Sequence, residues 1–172
     1  MGANDAQMGR GQAATPTWAD FRSDFEEVRL GVAVARVCES TFCDRDGYMR
    51  PGMIEAVWVH IEQDEFTEII ACMRIPNGDE SIVLIYWHGG LMHYSFHIVT
   101  FTKKGERVAD RVIAGTLSDQ DTVLQRVATI DEDWIIYIVE GIRSASGQYD
   151  PATSRSFHLE LLSTGDVMEV ED

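Results

Sequence analysis

A chain of 172 residues with 14 Lys+Arg against 29 Asp+Glu carries a formal net charge of −15 on an apolar content of 45%. That apolar content excludes a disordered acidic chain, and the length suits one domain with one core. The charge excludes nucleic acid and anionic membrane surfaces as partners, since both draw affinity from Lys and Arg meeting phosphates, and no apolar run reaches the roughly 18 residues of a membrane span.

Residues 1–14 are Gly, Ala, Gln, Asn and Met without a period, and read as a disordered arm ahead of a single β-rich domain over 15–172. The arm has neither a basic nor an apolar leader region, so the expected location is the cytoplasm. Thr15-Pro16 can start a helix, with Thr15 as cap and Pro16 at the first position. Trp18, Phe21, Phe25 and Val28 then recur at helical spacing, which predicts one amphipathic N-terminal helix needing a surface to dock on.

The period next changes to two. Leu30, Val32, Val34 and Cys38 suggest a first strand, and 40–52 is the most loop-like internal stretch. Strand-like runs follow over 53–61, 67–75, 81–88, 91–102, 106–114, 122–130, 134–142, 155–162 and 166–170. Asn77-Gly78, Gly89-Gly90 and Lys104-Gly105 fall between them as hairpin signals. No βαβ pattern appears. The expected fold is therefore mostly β, an antiparallel meander of eight to ten strands forming a barrel or a sandwich.

A two-residue turn at Gly89-Gly90 would pair Tyr86 with His93 and Ile85 with Tyr94. One face then gathers Val83, Ile85, Trp87, Met92, Tyr94, Phe96 and Ile98. The other gathers Ile82, Leu84, Tyr86, His88, Leu91, His93, Ser95 and His97. The run Trp134–Val139 is apolar on both faces, as for a central strand covered on both sides, with the N-terminal helix as a candidate cover.

The mixed face holds the main concentration of candidate ligands: Tyr86, His88, His93 and His97. His93 and His97 would stand about 13 Å apart along one strand, too far to grip one metal together. His88 and His93, diagonal neighbours at about 7–8 Å, could share an ion only with a third ligand from elsewhere. The residues read either as half-buried sheet histidines or, with Tyr86, as one wall of a ligand pocket, with no metal and no cofactor expected.

Other motifs fall short of chemistry. Cys38 and Cys43 lack the further ligands of a zinc site, and with Cys72 they make an odd count that suits reduced thiols. Asp44-Arg45-Asp46-Gly47 resembles the middle of a calcium loop, but Phe42 and Met53 stand where ligands are required. Neither a Gly-x-Ser-x-Gly elbow nor a phosphate-binding Gly-Lys loop occurs. The carboxylate groups around Glu65 and Asp131–Asp133 read as solvated turns, and Lys103-Lys104 as a charged hairpin tip.

Two functions follow as expectations. The first is a non-catalytic acidic interaction module, of inhibitor or immunity type, that meets a basic protein partner. The alternative is a small-ligand binding protein using the pocket lined by Tyr86, His88, His93 and His97.

Overall fold

The computed structural model describes residues 17–23, 25–27, 32–33, 64–77, 80–119, 121–144 and 146–170. Within them a short helix, α1 (Trp18–Ser23), precedes ten strands. These are β1 (Glu26–Glu27), β2 (Val32–Ala33), β3 (Glu68–Ile75), β4 (Ser81–Gly89) and β5 (His93–Thr102), then β6 (Arg107–Asp119), β7 (Thr122–Ile130), β8 (Ile135–Ser144), β9 (Tyr149–Leu161) and β10 (Val167–Val170). Strands β3 to β10 run as an antiparallel meander in one sheet; β1 adds to β3 in parallel, and β2 pairs with β7. The arm at 1–14, the strand at 53–61, the loop with Cys38 and Cys43, and the Asp44–Gly47 motif lie outside the described residues.

The mostly β, antiparallel expectation holds, but the barrel does not. Among the described residues the pairing follows an open path from β1 to β10, and no ladder joins its ends. The reason lies in β6. Only its last five residues, Gly115–Asp119, pair with β7, while Arg107–Ala114 pair with β5 alone. The two halves of the sheet diverge at that strand and enclose one core between them. Val83, Ile85 and Ile98 from one half meet Ala128, Ile136 and Leu159 from the other.

Within β6, Ile113 and Ala114 are both fully buried in this core. Neighbours along a regular strand point to opposite faces, so both can enter the same core only if the alternation breaks. A bulge supplies the break: Phe96 pairs with Ala114 but His97 pairs with Val112. The β9–β10 turn is tied across the core by polar side chains. Thr100 Oγ1 donates to the Gly165 carbonyl and accepts from Ala109 N–H, and Asn77 Nδ2 donates to the Leu162 carbonyl.

The Gly89-Gly90 turn is displaced. Gly89 pairs with Tyr94 and Gly90 N–H donates to the His93 carbonyl, so the tip of the hairpin is Leu91-Met92. The glycines serve space instead. A Cβ on Gly89 would stand 2.0 Å from the Trp87 ring, and one on Gly90 would stand 2.6 Å from the His93 ring. The tip moves by two positions, so each residue's partner moves by four. An even shift keeps every side chain on its expected face. Tyr86 now pairs with His97, not with His93.

Strand β8 departs from the expected double cover. Its burial alternates, with Ile136 and Ile138 inside and Tyr137 and Val139 each 49% exposed. Trp18, at the start of α1, packs instead on Phe101 of β5 at 4.7 Å between ring centroids, and Phe25 is buried in the same cluster. Helix α1 has six residues, fewer than the Trp18–Val28 stripe requires, because the chain enters β1 at Glu26.

Candidate functional site

The face shared by β4, β5 and the first part of β6 holds an apolar patch at one end, formed by Ile82, Leu84, Val99 and Phe101 and covered by Trp18 and Phe25. Toward the other end it becomes polar. Tyr86 and His88 on β4 and His93, Ser95 and His97 on β5 fall on this face through their even spacing. Asp110 joins from β6, where it pairs with Val99.

Tyr86 is the floor of the group. It is 2% exposed, its ring stacks on His97 at 4.6 Å with 23° between planes, and its hydroxyl donates to Asp110 Oδ2 at 3.2 Å. Burial first, then the Asp110 charge and hydrogen bond, pushes its phenol well above the ordinary range, so it remains a donor.

His97 stands between two partners. Its Nδ1 lies 2.9 Å from Asp110 Oδ1 and its Nε2 lies 2.9 Å from Ser95 Oγ. An ionised carboxylate only accepts, so the Nδ1 atom carries the proton. The lone pair at Nε2 then accepts from the Ser95 hydroxyl. The tautomer is assigned by this network. Arg107 stands 3.8 Å from the second Asp110 oxygen and offsets its charge.

His88 completes the polar cluster. Its ring meets His93 at 5.7 Å and His97 at 6.0 Å, both edge to face. Burial, helped by these two imidazoles, holds the His88 pKa below its ordinary value, so the ring favours its neutral form. Among the described residues, no three His, Cys, Asp or Glu side chains are grouped to hold a metal ion.

Beside this cluster a cleft of about 280 Å³ opens between β5, β6 and β7. Its walls are largely apolar, with Val112, Ala114, Leu117 and Leu124. Its polar side chains include His93, Ser95 and Arg126. Arg126 is fixed from behind: Nε donates to Glu140 at 2.8 Å and Nη1 donates to the Val112 carbonyl at 3.0 Å. Glu140 also accepts from Arg155, and both guanidinium groups lie over the Phe157 ring. Burial pushes the Glu140 carboxyl up, but the hydrogen bonds and charges of the two arginines outweigh it and hold it below its ordinary value.

Tyr86, His88, His93 and His97 thus stand together on one face of the sheet. His93 alone of the four lines the cleft. His97 reaches it through Ser95, and Tyr86 lies beneath. Three site residues escaped the sequence reading. Ser95 carried a signal, since it stands two positions before His97 on the same strand face. Asp110 and Arg126 carried none: register shifts between β5 and β6 flank the place where Asp110 falls, and Arg126 arrives from β7 by pairing with Gly115.

No protein-family model, curated protein or solved structure matches this chain, so its geometry carries the functional reading alone.

Proposed function

We propose that the chain binds a small, mainly apolar molecule with one hydrogen-bonding group in the cleft between β5, β6 and β7. The observation that carries this reading is the cleft itself, an apolar hollow into which His93, Ser95 and Arg126 project a few polar atoms. Ligand sites are typically concave, apolar and furnished with a small number of placed polar groups. Ser95 and Arg126 are held by His97 and Glu140, so little ordering remains to be done on binding.

The acidic character supports a basic protein partner only in general terms. Asp119 and Asp121 stand at one end of β7 and Asp131, Glu132 and Asp133 at the other, so these two acidic groups of the described residues do not share one face.

The test is titration with the neutral fluorophore N-phenyl-1-naphthylamine, read by its emission. Saturable binding at one site per chain is expected, and Val112→Trp, which fills the cleft from its rim, should abolish it. Absence of saturable binding, or equal binding by the variant, would overturn the reading.

A further inference from the structure

We propose that Ser95 is an activated nucleophile, with His97 as its general base and Asp110 as the positioning residue, and that the site acts on small esters with an apolar acyl group. The proposal rests on the cleft reading above, since the acyl chain needs that hollow. It adds reactivity to what is otherwise a binding site.

Two contacts define a nucleophile, a base and an orienting acid: Ser95 Oγ to His97 Nε2 at 2.9 Å, and His97 Nδ1 to Asp110 Oδ1 at 2.9 Å. Such a constellation is recognised by geometry and roles, not by chain order or fold. Here it comes from alternate positions of one strand and a residue on the next. The imidazole is held on three sides: Asp110 fixes its tautomer, Tyr86 stacks on its face, and His88 meets its edge. A purely structural hydrogen bond on a sheet surface needs no such support, nor an open hollow at the hydroxyl end. Ser95 has both.

Ser95 pairs with His88 on the β4 side and with Gly115 on the β6 side, and Gly115 lays no side chain over the hydroxyl from the direction of the cleft. The cleft wall also offers donors for a developing oxyanion. His93 is exposed there, and Arg126 retains N–H groups beyond those it gives to Glu140 and the Val112 carbonyl.

The reaction balances without any further reagent. Ser95 Oγ attacks the ester carbonyl carbon while its proton passes to His97 Nε2. The bond from that carbon to the alcohol oxygen then breaks, and the departing oxygen takes the proton from His97. Water attacks the acyl-Ser95 ester next, giving one proton to His97. The carboxylic acid leaves and Ser95 recovers its hydrogen.

The experiment treats the whole chain with diisopropyl fluorophosphate and locates the label by peptide mass spectrometry. One diisopropylphosphoryl group on Ser95 is expected, with a rate that rises with pH as one proton is lost from the site. The groups facing His97 are Tyr86, His88, Ser95 and Asp110, with Arg107 behind Asp110. Asp110→Asn should slow labelling by about 100-fold or more and alter that pH profile, while its unfolding temperature shows the protein still folded. Absence of label on the wild-type chain, or a label that persists on Ser95→Ala, overturns the proposal. The naphthylamine titration on the same sample separates the two failures, since probe binding without labelling removes the nucleophile and leaves the cleft.

Discussion

Replacing Gly115 by alanine tests the sheet geometry under Ser95. Gly115 has φ of +145°, a region essentially closed to side-chain-bearing residues. Its added Cβ would stand 2.3 Å from the Tyr94 carbonyl oxygen and 2.8 Å from Ser95 Cα, both backbone atoms that cannot swing aside. The backbone strain costs about 2 kcal/mol and the forced separation of two paired strands about 2 more. Reduced freedom of the unfolded chain returns about 0.7 kcal/mol, leaving a net loss of about 3. Gly147 is the control. Its φ is +87°, but no atom lies within 4 Å of its Cβ position, so only strain applies and the net loss is about 1 kcal/mol. For a chain of this length these losses correspond to about 9 and about 3 °C in Tm. Urea unfolding followed by tryptophan fluorescence gives both values, provided the slopes agree. If the two variants fall within about 1 kcal/mol of each other, the close approach of β5 and β6 at Ser95 is not as described.

Other substitutions probe the polar groups. Glu140→Gln should cost about 2–3 kcal/mol at neutral pH, because two arginines lose their shared carboxylate beside the partly buried Phe157 ring. Since the folded Glu140 pKa lies below the ordinary 4.5, its stabilisation is present above that pH and fades as acid protonates it; acid titration of stability should therefore be shallower in Glu140→Gln. His88 has the same sign for a different reason: the unfolded imidazole takes its proton near 6.5 and the folded one only at lower pH. Stability should fall as pH drops below 6.5, and His88→Asn should remove part of that slope in urea titrations at several pH values. Tyr86→Phe keeps the stack on His97 but removes the donor to Asp110, and should lower stability by about 1 kcal/mol in the same assay.

The candidate site was legible in part, and parity explains which part. Tyr86, His88, His93 and His97 could be placed on one face because side chains alternate along a strand. That inference survived a wrong turn, since moving the tip from Gly89-Gly90 to Leu91-Met92 shifts the pairing by an even number. Which histidine met Tyr86 was not legible, because it depends on the rings of Trp87 and His93 claiming the space beside the two glycines. The double cover of β8 failed on a similar ground. The composition of Trp134–Val139 allows burial on both faces, but the layer that would cover Tyr137 and Val139 is a matter of packing.

By itself the sequence determined a mostly β, antiparallel meander, since local alternation and turn chemistry act over a few residues and leave their pattern in the chain. It determined the faces of β4 and β5 for the same reason. The tertiary structure alone decided that the sheet stays open, because that turns on how far β6 pairs with β7. It alone set Asp110 beside His97 and Arg126 one strand beyond Gly115 from Ser95, because bulges and strand register are fixed by contacts between distant segments.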